Sequence, residues 1–200
     1  DSQICKLIRN DSIEEFITFI NKNNMSLKET IPESIFETNR FLLQNKFNRK
    51  DISLLEYTAF FGSIKIFNYI LRNGFTLSPS LWPYAIHGNN SEIISQLEEN
   101  EIIPFISHLD ALKESIKCHH NDIANFIIQN HPIDEKDYAT SIFKYYNFDL
   151  IKESFINPDY IYEMCKYNYY VFVDFLNKNS KIDFNLIAIS KFLFNSICNI

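Results

Sequence analysis

The feature that most constrains this chain is a period of about 27 residues, carried first by one clear unit: Leu54-Leu55-Glu56-Tyr57-Thr58-Ala59-Phe60-Phe61-Gly62-Ser63-Ile64-Lys65-Ile66-Phe67-Asn68-Tyr69-Ile70-Leu71-Arg72-Asn73-Gly74. Ile66, Phe67, Ile70 and Leu71 fall at i, i+1, i+4 and i+5, which is one apolar stripe of a helix. Gly62 breaks the chain between two helices, and Gly74 stands where a left-handed residue ends the second. The plan recurs in Tyr84-Ala85-Ile86-His87-Gly88-Asn89-Asn90 followed by Ile93, Ile94 and Leu97, with Asn89 lying 27 positions after Gly62. A further copy is Ser115-Ile116-Lys117-Cys118-His119-His120-Asn121-Asp122-Ile123-Ala124-Asn125-Phe126-Ile127-Ile128. The stripe returns at Leu150, Ile151 and Phe155, again at Phe172, Val173 and Leu176, and upstream at Phe16, Phe19 and Ile20.

Proline supplies a second ruler, because it cannot continue a helix and falls just past one. Pro32, Pro79, Pro104, Pro132 and Pro158 each follow an expected second helix, and the last four are 25, 28 and 26 positions apart. Pro83 sits instead near the start of a first helix, where its missing N–H is tolerated. The units therefore run near 3–24, 53–75, 80–102, 109–131, 135–156 and 158–180, in one repeat domain over 1–200. Residues 25–52 form an insertion long enough for one extra short helix around Ile35-Phe36 and Phe41-Leu42-Leu43. A partial unit opens at 184–200, with Leu186, Ile187, Ile189, Phe192, Leu193, Phe194 and Ile197. That stretch is too apolar for a terminal cap. Together with a start at Asp1 rather than Met, it suggests a piece of a longer chain.

Composition narrows the class. With 46% apolar and 22% charged residues the chain can bury a core, and no apolar run reaches the ~18 residues of a membrane span. A net charge of −6 opposes general nucleic-acid binding, which needs a basic face. Cys5, Cys118, Cys165 and Cys198 form no C-x-x-C pair, which fits a reducing compartment and a cytoplasmic setting. Ile and Asn are frequent while Val occurs only at Val171 and Val173, a skew expected of AT-rich coding.

The join Thr58-Ala59-Phe60-Phe61-Gly62 and the ending Ile70-Leu71-Arg72-Asn73-Gly74 match the A-A-x-x-G and L-L-x-x-G elements of ankyrin repeats. The T-P-L-H element is poorly matched, its nearest equivalent being Ser53-Leu54-Leu55-Glu56. The runs 57–67, 81–94 and 114–126 closely resemble the degenerate ankyrin-related domain of large ankyrin-repeat protein families in parasitic protists. The resemblance covers most of 1–179. It implies a mainly α, ankyrin-like solenoid of stacked antiparallel helix pairs. Intervals shorter than 33 and only three glycines leave little room for β-hairpin fingers, which are expected to be reduced or absent.

Ankyrin-type stacks bind partner proteins, so the resemblance implies a protein-interaction module, monomeric as an isolated domain, with a partner whose identity stays open. In such proteins the two positions before the join glycine face a concave groove. Here they read Arg9-Asn10, Phe60-Phe61, His87-Gly88, Lys117-Cys118, Lys144-Tyr145 and Lys166-Tyr167. Three successive units thus place lysine at one spot of an acidic chain. Lys117, Lys144 and Lys166 would form a cationic ladder beside Tyr145 and Tyr167, with Arg9, Phe60 and His87 in the same row, suited to an acidic partner. The plain alternative is that lysine near a helix C-terminus complements the helix dipole. A structural extension capping a longer array is a further alternative.

Catalytic and metal chemistry finds weaker support. Cys118-His119-His120 offers zinc-type donors, but adjacent helical residues point about 100° apart and a closed site needs four converging ligands. His108 and His131 would have to be recruited by the fold. The alternative assigns His119 and His120 to the interhelix turn held elsewhere by Gly62-Ser63. Glu98-Glu99-Asn100-Glu101 lacks the spacing of a calcium loop and reads as a solvated helix end. There is no G-x-S-x-G, G-x-x-x-x-G-K or H-E-x-x-H. The expectation is a non-enzyme with no cofactor, no metal, no nucleic acid and no membrane.

Overall fold

The computed structural model describes residues 2–31, 39, 41–42, 51–105 and 107–179. The expected partial unit at 184–200, Pro32 and most of the insertion lie outside them. The described residues are mainly helical and contain no strand, only an isolated antiparallel bridge between Thr30 and Ser53. The chain divides into two compact units, Asp1–Ile127 and the part from Ile128 onward, where the sequence reading takes a single repeat domain.

In the first unit the helices come in pairs: α1 Gln3–Arg9 with α2 Ile13–Lys22, α3 Leu54–Phe61 with α4 Ile64–Arg72, and α5 Leu81–Gly88 with α6 Ser91–Glu99. Then α7 His108–Cys118 leads into α8 Asn121–Asn130. The first helices α1, α3, α5 and α7 pack each on the next as a row, and α2 packs on α4. That placement explains the burial pattern. Helix α3, flanked on both sides, buries every residue from Leu54 to Phe60, whereas α4 buries only its stripe of Ile66, Phe67 and Ile70. Each such side chain removed from water contributes roughly 1.5–3 kcal/mol.

The repeat is plainest in the backbone. Asp11, Gly62, Asn89, His119, Tyr146 and Asn168 all adopt left-handed φ, between 47° and 64°. Each ends a first helix. After five of them the next amide, of Ser12, Ser63, His120, Asn147 or Tyr169, bonds back to the carbonyl five residues earlier at 2.7 to 3.1 Å. This pattern satisfies a helix-terminal carbonyl while turning the chain. The intervals from Gly62 onward are 27, 30, 27 and 22 residues, and the insertion stretches the first, from Asp11, to 51.

The joins are also bonded to one another through the first unit. Asp11 accepts the amides of Lys65 and Ile66 at 3.1 and 3.0 Å, so its carboxylate caps α4. Ser63 Oγ donates to the Ile8 carbonyl at 2.5 Å, Asn90 Nδ2 donates to the Gly62 carbonyl at 3.2 Å, and the His120 side chain bonds the backbone of His87. The residue after each join thus reaches back to an orphan carbonyl near the end of the preceding first helix. Glu56, almost fully buried, completes a capping box with Ser53 and accepts Ser80 Oγ at 2.9 Å, tying the start of α3 to the start of α5. Where α3 and α5 meet, a Cβ on Gly88 would stand 2.2 Å from the Ala59 carbonyl oxygen. Only glycine permits that approach.

The insertion is closed at its base by the Thr30–Ser53 bridge and the Ile31 amide bonding the Ile52 carbonyl at 2.7 Å. Phe41 and Leu42, in the stretch expected to be helical, are helical, and Leu42 is fully buried.

The second unit holds α9 Glu135–Lys144, α10 Ile161–Lys166 and α11 Tyr170–Asn179. One expectation is corrected here. The stripe Leu150, Ile151 and Phe155 does not ride on an α-helix; Leu150 and Phe155 lie on two 3-10 turns, Phe148–Leu150 and Glu153–Phe155, and Ile151 is extended between them. Pro158 opens a third, Pro158–Tyr160, rather than following a helix. Asn157, ahead of Pro158, is extended at φ −140°, ψ 167°. Leu150 and Phe155 are buried all the same.

Candidate functional site

The row of positions before each join is where the sequence points, and the backbone keeps that register: each pair immediately precedes a left-handed residue. The side chains differ sharply along it. Arg9 lies over the Phe61 ring at 5.7 Å. Phe60 is buried, not presented. Its ring stacks with Phe41 at 5.8 Å and with His87 at 5.6 Å. Phe41 also stacks on His87 at 4.1 Å and meets Tyr84 edge-on at 5.1 Å. A residue of the insertion therefore lies over two of the expected groove positions.

His87 and Lys117 share one carboxylate. Glu114 Oε1 is 2.9 Å from His87 Nε2 and accepts from Lys117 Nζ at 2.8 Å, with Oε2 at 3.1 Å from the same ammonium. These bonds, that to His87 foremost, hold the Glu114 carboxyl down at about 2 against the opposing effect of burial. So the cationic row is neutralised locally in the first unit. Lys144 and Lys166 are exposed, and each lies over the ring that follows it, Tyr145 at 5.1 Å and Tyr167 at 5.2 Å, with Tyr162 at 5.9 Å from Lys166.

Cys118 finds neighbours that its local sequence does not name. Its Sγ stands 3.6 Å from Nδ1 and 3.7 Å from Nε2 of His87. His119 is the left-handed join and His120 bonds the backbone of His87, so the three consecutive donors do not act as one site. Burial, reinforced by the Glu114 charge, pushes the Cys118 thiol up to about 11, which keeps it protonated and a poor nucleophile at neutral pH. The donor atoms of His87, Glu114 and Cys118 lie within 4.8 Å of one another. A usable signal was present: His87 and Lys117-Cys118 hold neighbouring register positions in successive units, and equal register stacks.

The second unit carries an aromatic cavity of about 330 Å³ lined by Tyr146, Phe148, Asn168, Tyr169, Tyr170, Val171 and Phe172. Tyr169 stacks between Tyr146 and Phe172, at 5.7 and 5.8 Å. Its buried hydroxyl has no hydrogen-bond partner among the described residues, and burial pushes it up to about 12. Around it Phe148, Tyr170, Val171 and Phe175 are exposed. No helix among the described residues is long and apolar enough to cross a membrane. Compared with family models, with curated proteins and with solved structures, the chain matches none.

Proposed function

We propose that this chain is a degenerate ankyrin-type repeat module that binds another protein along the ends of its first helices. The observation that carries the reading is the recurrence of one left-handed join at Asp11, Gly62, Asn89, His119, Tyr146 and Asn168. A surface built by repetition presents equivalent positions again and again, which is how stacked helix pairs make extended binding faces. In the second unit the exposed Lys144 and Lys166, each beside a half-buried ring, Tyr145 and Tyr167, supply cation and aromatic together, the combination that anchors an acidic partner. Lys117 contributes beside Glu114, so its charge is shared within the module. The described cysteines Cys5, Cys118 and Cys165 are free thiols, in keeping with a reducing, intracellular setting.

The test is capture of a partner from the cell of origin by the wild-type chain and by the triple variant Lys117→Glu, Lys144→Glu, Lys166→Glu. A dominant partner lost from the triple variant, with its circular dichroism unchanged, supports the binding face. Equal capture by both proteins removes the lysine row from the account and favours a structural extension of a longer array.

A further inference from the structure

We propose that His87, Glu114 and Cys118 form a binding site for a zinc-class divalent metal ion. They come from two packed first helices: His87 from the end of α5, Glu114 and Cys118 from the last turns of α7, four residues apart and so on one helical face. None of the three is fully buried, so an ion can enter and keep water in a remaining position. The donor set is one imidazole, one carboxylate and one sulfur. Zinc accepts all three, whereas calcium and magnesium select oxygen and reject sulfur.

The distances fit with small movements. Zinc bonds sulfur at about 2.3 Å and imidazole nitrogen at about 2.0–2.1 Å, so at tetrahedral angles those ligand atoms stand roughly 3.6 Å apart. Cys118 Sγ is 3.6 and 3.7 Å from the two His87 nitrogens. The near equality of those values sets the sulfur off both lone-pair axes, so the His87 and Cys118 side chains reorient for both to face one ion. The nitrogen–oxygen edge of a zinc site is about 3.4 Å. His87 Nε2 and Glu114 Oε1 are 2.9 Å apart, so seating the ion between them opens that pair by about half an ångström, the ion taking the place of the shared proton. Phe41 stacked on His87 limits the tilt of the ring.

Binding releases one proton. The S–H bond of Cys118 breaks, its electron pair goes to the metal and its proton goes to solvent, while the proton shared with Glu114 leaves Nε2 of the neutral His87 ring and is replaced by one on Nδ1, so the imidazole keeps a single N–H. Because that proton leaves when the metal binds, affinity rises with pH.

The experiment is a titration of the metal-free chain with cobalt(II), which takes zinc's geometry and reports thiolate ligation through its charge-transfer absorption. One equivalent with a thiolate band is expected, displaced by zinc and strengthening with pH. Cys118→Ser abolishes the band, and Glu114→Gln weakens binding at least about tenfold, both with unchanged circular dichroism. A spectrum without a thiolate band, or a band that persists in Cys118→Ser, overturns the site, and an affinity unaltered in Glu114→Gln removes the carboxylate from it.

Discussion

The two units use the same left-handed join and fill it differently. In the first, the residue after the join is short or polar and reaches back to a carbonyl of the preceding pair: Ser63 to Ile8, Asn90 to Gly62, His120 to His87. Helices α3 and α5 approach until only Gly88 fits between them. In the second unit the joins are Tyr146 and Asn168, followed by the buried Asn147 and Tyr169, and the Tyr169 ring stacks with Tyr146 and Phe172. Close backbone packing needs small residues and spends its polar groups internally. Aromatic packing tolerates wider spacing and leaves rings in solvent, as Phe148, Tyr170 and Phe175 are left. The first unit thus brings helix backbones into close approach, and the second stacks aromatic rings.

The largest expected break in this contrast is Gly88→Ala. The added methyl meets backbone, the Ala59 carbonyl oxygen and the Gly62 amide nitrogen, which cannot swing away as a side chain would. Overpacking of this kind costs about 3 kcal/mol or more. Urea denaturation should show that loss. A change below about 0.5 kcal/mol would mean that the helices separate freely and that the first unit is not close-packed.

Acid comes next. The folded Glu114 carboxyl titrates at about 2, below its ordinary 4.5. A depressed carboxyl contributes stability that is present above its unfolded value and is lost as pH falls from 4.5 toward 2. Partial exposure screens the effect. Wild type should therefore lose more stability over that window than Glu114→Gln, and thermal melts at several pH values would show the curves converging at low pH. Parallel curves would detach Glu114 from His87 and Lys117.

The smallest effect belongs to the exposed face of the second unit. Val171 is 79% exposed, so Val171→Ser should change stability by less than about 0.5 kcal/mol. A substantially larger loss in denaturation would show that the face is packed rather than open.

Much of the helical plan was legible because local chemistry reports it. Gly62 and Asn89 accept left-handed φ with little penalty, and stripes such as Ile66, Phe67 and Ile70 mark which side of a helix is buried. The joins at His119 and Tyr146 run against residue preference and were reachable only through the period. The failed helix at Leu150–Phe155 shows the limit of periodicity: Leu150 and Phe155 are buried as the stripe implies, but on 3-10 turns rather than an α-helix. Phe60 shows another limit. Its register was read correctly, yet Phe41, from an insertion with no period, lies over it.

By itself the sequence determined what depends on neighbours along the chain: where helices stop, which stripe is apolar, and the interval at which both recur. Tertiary structure alone decided the pairings across long separations. Glu114 meets His87, 27 positions away, and Cys118 meets the same ring from 31. Those contacts exist because α5 and α7 pack side by side, and distance in space is set by that packing rather than by distance along the chain.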